Sequence, residues 1–349
     1  MFAAGALLAA GVAATLLAGR LRVPGLVLFL ALGTLIGSDG LGWIDFGHSR
    51  ADVELTRTLG AIALALILFE GGLAAGWGEI RPVLGPGLAL ATVGTFVTAA
   101  VTGLAAHLLL GVDLLHGLLL GSVVATTDTA AVFSVLRGSS LRRRLARTLE
   151  AEAGFNDPLA ILLVIGFTQW IVTPGYGTGD MVALLARQLA VGGVVGLIVG
   201  VAAVSALSKL RLASLGLYPV GSMATCGLAF GAADLLHGSG FLSVYLAGLA
   251  LGTASIPAKR TIEAFHAGVA WVSQIALFLL LGLLVFPSQL GPVARDALLL
   301  TAVLVLVARP LATFVCTLPA RYSPREGLLL GWAGLRGALP VVFATFPVL

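Results

Sequence analysis

Apolar runs of about twenty residues, separated by short polar breaks, follow one another along the whole chain and constrain it more than any other feature. A helix needs about twenty apolar residues to cross the hydrocarbon core of a bilayer. Reading runs against breaks places membrane segments at 1–19, 23–41, 55–76, 82–110, 114–136, 148–172, 180–207, 215–236, 239–256, 264–286, 293–318 and 325–349. Nothing remains for a soluble domain. Hydrophobic residues make up 59% of the chain and charged residues 10%, where a soluble domain carries about 25% charged residues. The expected fold is an all-α polytopic membrane protein.

Basic residues orient the bundle. With loops assigned to alternate sides, one side receives Arg20, Arg22, Arg81, Arg137, Arg142, Arg143, Arg144, Arg147, Lys209, Arg211, Lys259, Arg260, Arg321 and Arg325, fourteen of the twenty Lys and Arg residues. The positive-inside rule makes that side cytoplasmic and the N-terminus external. The net charge of +4 is then a topological bias, and no nucleic-acid partner is read from it. Residues 1–19 lack a preceding basic stretch and a following cleavage site, so they read as a mature helix. Cys226 and Cys316 fall within segments and suggest neither a disulfide framework nor a metal site. His107, His116, His237 and His266 lie near segment ends and read as interfacial. The spacing of Gly192, Gly196 and Gly200 predicts close helix packing, within the subunit or across a dimer.

Against this background the acids stand out. Asp157 follows Asn156 inside an apolar segment, Glu152 lies just before the pair, and Glu70 and Asp128 occupy other apolar runs. A charge at membrane depth costs a few kcal/mol or more and marks a task. Arg336 is in comparable company near the other end, so several acids and an Arg suggest a cation path. Two segments also break: a polar triplet, Thr126-Thr127-Asp128, interrupts the fifth, and Gly334 to Pro340 interrupts the twelfth. Broken helices free backbone carbonyls and aim half-helix dipoles at a shared midplane, as inverted-repeat transporters do. Breaks seven segments apart predict approximate inverted repeats over 23–172 and 215–349.

Intramembrane proteases are excluded for want of Gly-x-Gly-Asp, His-Glu-x-x-His or Gly-x-Ser-Gly. A cation channel is the alternative of another class, although channel rings usually arise from repetition of a short pore unit.

Six motifs, in order, carry a resemblance: Gly33-Thr-Leu-Ile-Gly37-Ser-Asp-Gly40, Leu68-Phe-Glu-Gly-Gly72, Thr127-Asp128-Thr-Ala-Ala-Val-Phe133, Glu152-Ala-Gly-Phe-Asn-Asp-Pro158, Gly238 to Gly248, and Gly334-Leu-Arg-Gly-Ala-Leu-Pro340. The chain resembles the cation:proton antiporter superfamily in its sodium/proton exchanger branch, and within it the bacterial potassium/proton antiporters of the cell-volume-regulation type. The resemblance implies thirteen helices with the fifth and twelfth crossing as broken helices, so that the thirteenth is expected beyond Leu349. It implies potassium/proton exchange by alternating access, with sodium as the alternative ion, in the inner membrane, by a homodimer that needs no cofactor. Asp157 would bind a monovalent cation or a proton, with Asp128 and the Thr127 carbonyl lining the crossing, Asn156 holding the broken helices, and Glu70 contributing an acidic group to the site. Glu152 and Arg336 would form a structural ion pair. A serine commonly follows the Glu; here the residue is Ala153, and a side-chain oxygen is missing four residues before Asp157.

Overall fold

All twelve expected segments carry helix in the computed structural model of the chain, which describes residues 2–21, 23, 25–127, 142–210, 212–334 and 339–344. The helices are α1 (Phe2–Leu21), α2 (Gly25–Ile36), α3 (Arg50–Ala75), α4 (Arg81–Leu110), α5 (Leu114–Val123), α6 (Arg143–Val172), α7 (Thr178–Lys209), α8 (Leu217–Leu235), α9 (Gly240–Thr253), α10 (Lys259–Leu283), α11 (Pro287–Thr317), α12 (Pro324–Ala333) and α13 (Leu339–Ala344). The last two share the twelfth segment. Among the described residues no strand occurs, and six helices are long and apolar enough to cross a membrane.

Local chemistry sets the ends. Ser49 and Asp52 form a reciprocal capping box at the start of α3, and Ser323 and Glu326 do the same for α12, where Pro324 takes the first helical position and needs no N–H donor. Asp113 caps α5 by accepting from the Leu115 N–H at 3.0 Å, a bond that holds its carboxyl below the usual range. The fifth segment stops being helical after Val123, at the expected polar triplet. Its continuation beyond Thr127 and the crossing of the broken helices lie outside the described residues. Single π turns occur in α4 at Leu90–Gly94 and in α11 at Leu304–Ala308, seven helices apart like the two broken segments.

Two blocks emerge from the packing. One gathers α1, α2, α3, α7, α8, α9 and α10; the other gathers α4, α5, α6, α11 and α12. Helix α6 is the seam, for it also lies against α3, α7 and α9.

Glycine makes the first block dense. A Cβ added at Gly248 of α9 would lie 2.3 Å from the Phe69 carbonyl of α3, and one at Gly252 would lie 2.1 Å from the Leu73 carbonyl. On the opposite side, Gly192 and Gly196 of α7 lie backbone to backbone against Ser239 and Ser243, with 2.5 and 2.6 Å left for a Cβ. The Gly192, Gly196 and Gly200 row therefore packs within the subunit, and α9 is clamped between two helices with no side chain between.

His266 departs from expectation. It is fully buried, with its Nε2 at 2.8 Å from Ser222 Oγ and its ring against Phe69, because α10 turns it inward between α3 and α8. His116 and His237 are exposed.

Gly248→Ala is expected to destabilise the protein by about 1–3 kcal/mol, the usual cost of overpacking. Gly227→Ala in α8, with nothing within 4 Å of the new methyl, is expected to be neutral or stabilising. Thermal unfolding of both variants in detergent checks the difference.

Candidate functional site

Helix α6 carries the site, and its register explains how. Residues four apart share a face, so Glu152 and Asn156 form one row and Ala153 and Asp157 the next. All four are buried: Glu152 is 1% exposed, Asn156 0%, Ala153 1% and Asp157 3%. The two carboxylates of α6 thus lie inside the bundle, as the cost of a charge at membrane depth requires.

Asn156 reaches the interrupted fifth segment, where its Nδ2 donates to Thr127 Oγ1 at 2.5 Å. Both side chains are buried, so this bond ties α6 to the polar end of that segment. Pro158, the residue after Asp157, lies within the helix and has no N–H. The carbonyl of Gly154, four residues back, therefore lacks the donor an unbroken helix would supply.

Glu152 is paired, but with a residue on α11. Arg309 Nη1 donates to Glu152 Oε1 at 2.7 Å, with Arg309 3% exposed, and Nη2 reaches the Leu330 carbonyl of α12 at 3.4 Å. The pair was expected with Arg336, which lies outside the described residues; the bridge that the described residues make is to Arg309. The reason is local. Arg309 emerges from the π turn of α11, and Gly334 leaves room for the guanidinium, since a Cβ there would meet Arg309 Nη2 at 1.8 Å. The signal was present in the sequence, because Arg309 lies well inside an apolar segment, beside Pro310.

Other expected residues are dispersed. Glu70 sits half-buried on α3, in the other block. Asp128 lies outside the described residues. The basic cluster, read as topological, also anchors the start of α6: Arg142 meets Glu326 at 3.1 Å, Arg144 donates to the Ala320 carbonyl and covers the Tyr322 ring, and Thr148 bonds Tyr322 Oη at 2.7 Å. Among the described residues no group of three or more His, Cys, Asp or Glu residues could hold a metal ion.

The helical bundle, its seam helix and a buried carboxylate bridged across it define a polytopic membrane protein with an ionic interior. Residues 6–348 match the family of transmembrane sodium/hydrogen exchangers, and the chain belongs to that family. It is 40% identical to a K(+)/H(+) antiporter, NhaP, of Alkalimonas amylolytica, over 98% of this chain and 59% of that protein. It is 38% identical to the K(+)/H(+) antiporter NhaP2 of Shewanella sp. (strain ANA-3), over 100% of this chain and 60% of that one. The chain thus spans about three fifths of the length of these relatives. Among solved structures, the sodium proton antiporter MjNhaP1 from Methanocaldococcus jannaschii at pH 8 is similar with a TM-score of 0.85 and 25% identity, over 99% of this chain and 85% of that one.

Arg309→Ala is expected to cost about 3–5 kcal/mol, because it strands the Glu152 charge. Glu152→Gln combined with it should recover part of the loss. Melting temperature and monodispersity in detergent check this; additive losses would show that the two residues do not act as a pair.

Proposed function

We propose that the chain is the membrane domain of a monovalent cation:proton antiporter in the cell membrane, with potassium as the first candidate cation and sodium as the alternative. The burial of Asp157 carries the reading, beside the Asn156–Thr127 bond and within a family of sodium/hydrogen exchangers. Potassium is favoured by the names of the 38–40% identical relatives; sodium is the ion named for MjNhaP1.

The chemistry follows from one carboxylate. Burial raises the pKa of an acid and a nearby cation lowers it, so proton and cation compete for Asp157. If the loaded forms cross between faces and the empty charged form does not, the competition becomes exchange, and one gradient drives the other. Thr127, Glu70 and Asp128 are proposed to add oxygens to the ion's coordination, and Asn156 to hold the interrupted fifth segment in place without adding charge. Ala153 supplies no oxygen, which leaves that part of the shell to water. Glu152 is assigned a structural role, because Arg309 takes one of its oxygens directly. The spacing of the two π turns and the two interrupted segments supports the inverted-repeat reading of 23–172 and 215–349. A lipid bilayer is the environment; a homodimer is the proposed assembly.

Asp157→Asn is expected to abolish cation-dependent proton movement while the variant stays folded, since the amide keeps the shape but neither binds a proton near neutral pH nor balances a cation. The measurement is recovery of a pH-sensitive dye in vesicles on addition of potassium, sodium or lithium in turn. Wild-type rates in a folded Asp157→Asn variant would remove the assignment.

Competition also fixes a pH dependence. Below the pKa of the shared carboxylate, each tenfold rise in proton concentration should raise the apparent KM for cation about tenfold, about 1.4 kcal/mol of binding free energy. Saturating cation should restore the rate. An acid-side fall confined to maximal rate would point to a separate regulatory proton instead of a shared site.

A further inference from the structure

One residue of the first block leans directly on the site helix. Tyr245 lies midway along α9, is 2% exposed, and sets its ring edge-on to Phe155 of α6, with ring centroids 5.0 Å apart. It fills the space over Gly154 so closely that a Cβ there would lie 2.4–2.5 Å from the end of the phenol ring and its hydroxyl. Gly154 is thus glycine because the phenol occupies the place of its side chain.

Position gives the contact its meaning. Gly154 precedes Asp157 by three residues, about 4.5 Å along the helix, toward the Arg143 end. Helical side chains lean toward the N-terminus, so the Asp157 carboxylate inclines over the same turn. The phenol therefore lies where the two blocks meet, on the Arg143 side of Asp157. It is also held on a rigid support, since α9 is clamped by backbone contacts to α3 and α7 on either side.

Polarity supplies a second, independent observation. The Tyr245 hydroxyl is buried and has no hydrogen-bond partner among the described residues. The ring rests over Gly154, the residue whose carbonyl loses its helical donor at Pro158. A buried hydroxyl without a partner is costly, and phenylalanine would fill the same space without that cost. A buried hydroxyl without a partner at the meeting of the two blocks suits a place through which a hydrated ion passes in another arrangement of the blocks.

We propose that Tyr245 is the gate between Asp157 and the face of the bundle on which α6 begins: its ring closes that route while it rests over Gly154, and the route opens when the two blocks shift and the ring leaves the glycine. The inference rests on Asp157 being the ion site, but its test measures access and not transport, so the two stand or fall separately.

The test starts from full-length protein in which the two buried cysteines, Cys226 and Cys316, are replaced by Ala. Ala153→Cys then places one thiol a turn before Asp157, beside the gate. A small membrane-impermeant thiosulfonate is added to vesicles of known orientation, from each face in turn. Labelling from the Arg143 face is expected to rise at least tenfold in Tyr245→Ala and to stay at the parental level in Tyr245→Phe, which keeps the ring. Should Tyr245→Ala not be monodisperse, Tyr245→Leu serves, because its side chain is too short to cover Gly154. Parental labelling in both truncations would overturn the gate, as would an equal rise from both faces or an equal rise in Tyr245→Phe. Dye-recovery rates on the same vesicles before Ala153→Cys is introduced report the exchange itself: a parent that exchanges nothing would count against the proposed function and leave the labelling result readable.

Discussion

An ionisable side chain at membrane depth must be satisfied by the protein around it, and the architecture of this chain is organised by that requirement on one helix. Glu152, Asn156 and Asp157 fall within six residues of α6, all buried. Their placement obliges α11 to deliver Arg309, the fifth segment to unwind and offer Thr127, and the neighbouring helices to exclude lipid from the whole face. The two blocks are the two sides of that seam. One is bound to α6 by polar bridges, and the other touches it mostly through apolar contact and the Tyr245 ring.

That asymmetry has a mechanical sense. The first block is rigid because its helices meet at glycine, where there are no rotamers to rearrange and little space to compress. The second is held by directional bonds at α6: the ion pair, the Asn156–Thr127 bond, and the anchoring of Arg142, Arg144 and Thr148 to α12 and the segment before it. Contacts across the seam are less directional than those within either block, so a relative shift of the two costs fewer specific bonds than a rearrangement inside one.

Much of this was legible in the sequence, for identifiable reasons. Twelve segments could be read because a bilayer enforces helix length and apolarity together, and Asp157 because a carboxylate in such a run has no neutral explanation. The Gly192, Gly196 and Gly200 row was legible as close packing, but its partner was not, since spacing says that a surface is flat and not what lies on it. Arg309 is visible in the sequence as a basic residue in an apolar run, but its partner is not. A pairing across 157 residues of sequence depends on where a π turn aims one side chain, and hydropathy carries no trace of that. His266 was misjudged for a similar reason: closeness to a segment end does not tell whether a helix turns a residue toward lipid headgroups or toward Ser222. Tyr245 falls inside the Gly238 to Gly248 motif, but only the missing Cβ of Gly154 reveals what it packs against.

The Glu152–Arg309 pair has a consequence in electrical terms. Moving one elementary charge through the full membrane potential is worth about 2.3 kcal/mol per 100 mV. A lone Arg309 on a block that shifts across part of the bilayer would make every transition a voltage-dependent event, whatever the ion site held. Bound at 2.7 Å to a carboxylate on a helix of the same block, it travels as a neutral unit. The pair then gives the field no net charge to act on, so that the scaffold at this point adds nothing to any voltage dependence the protein has.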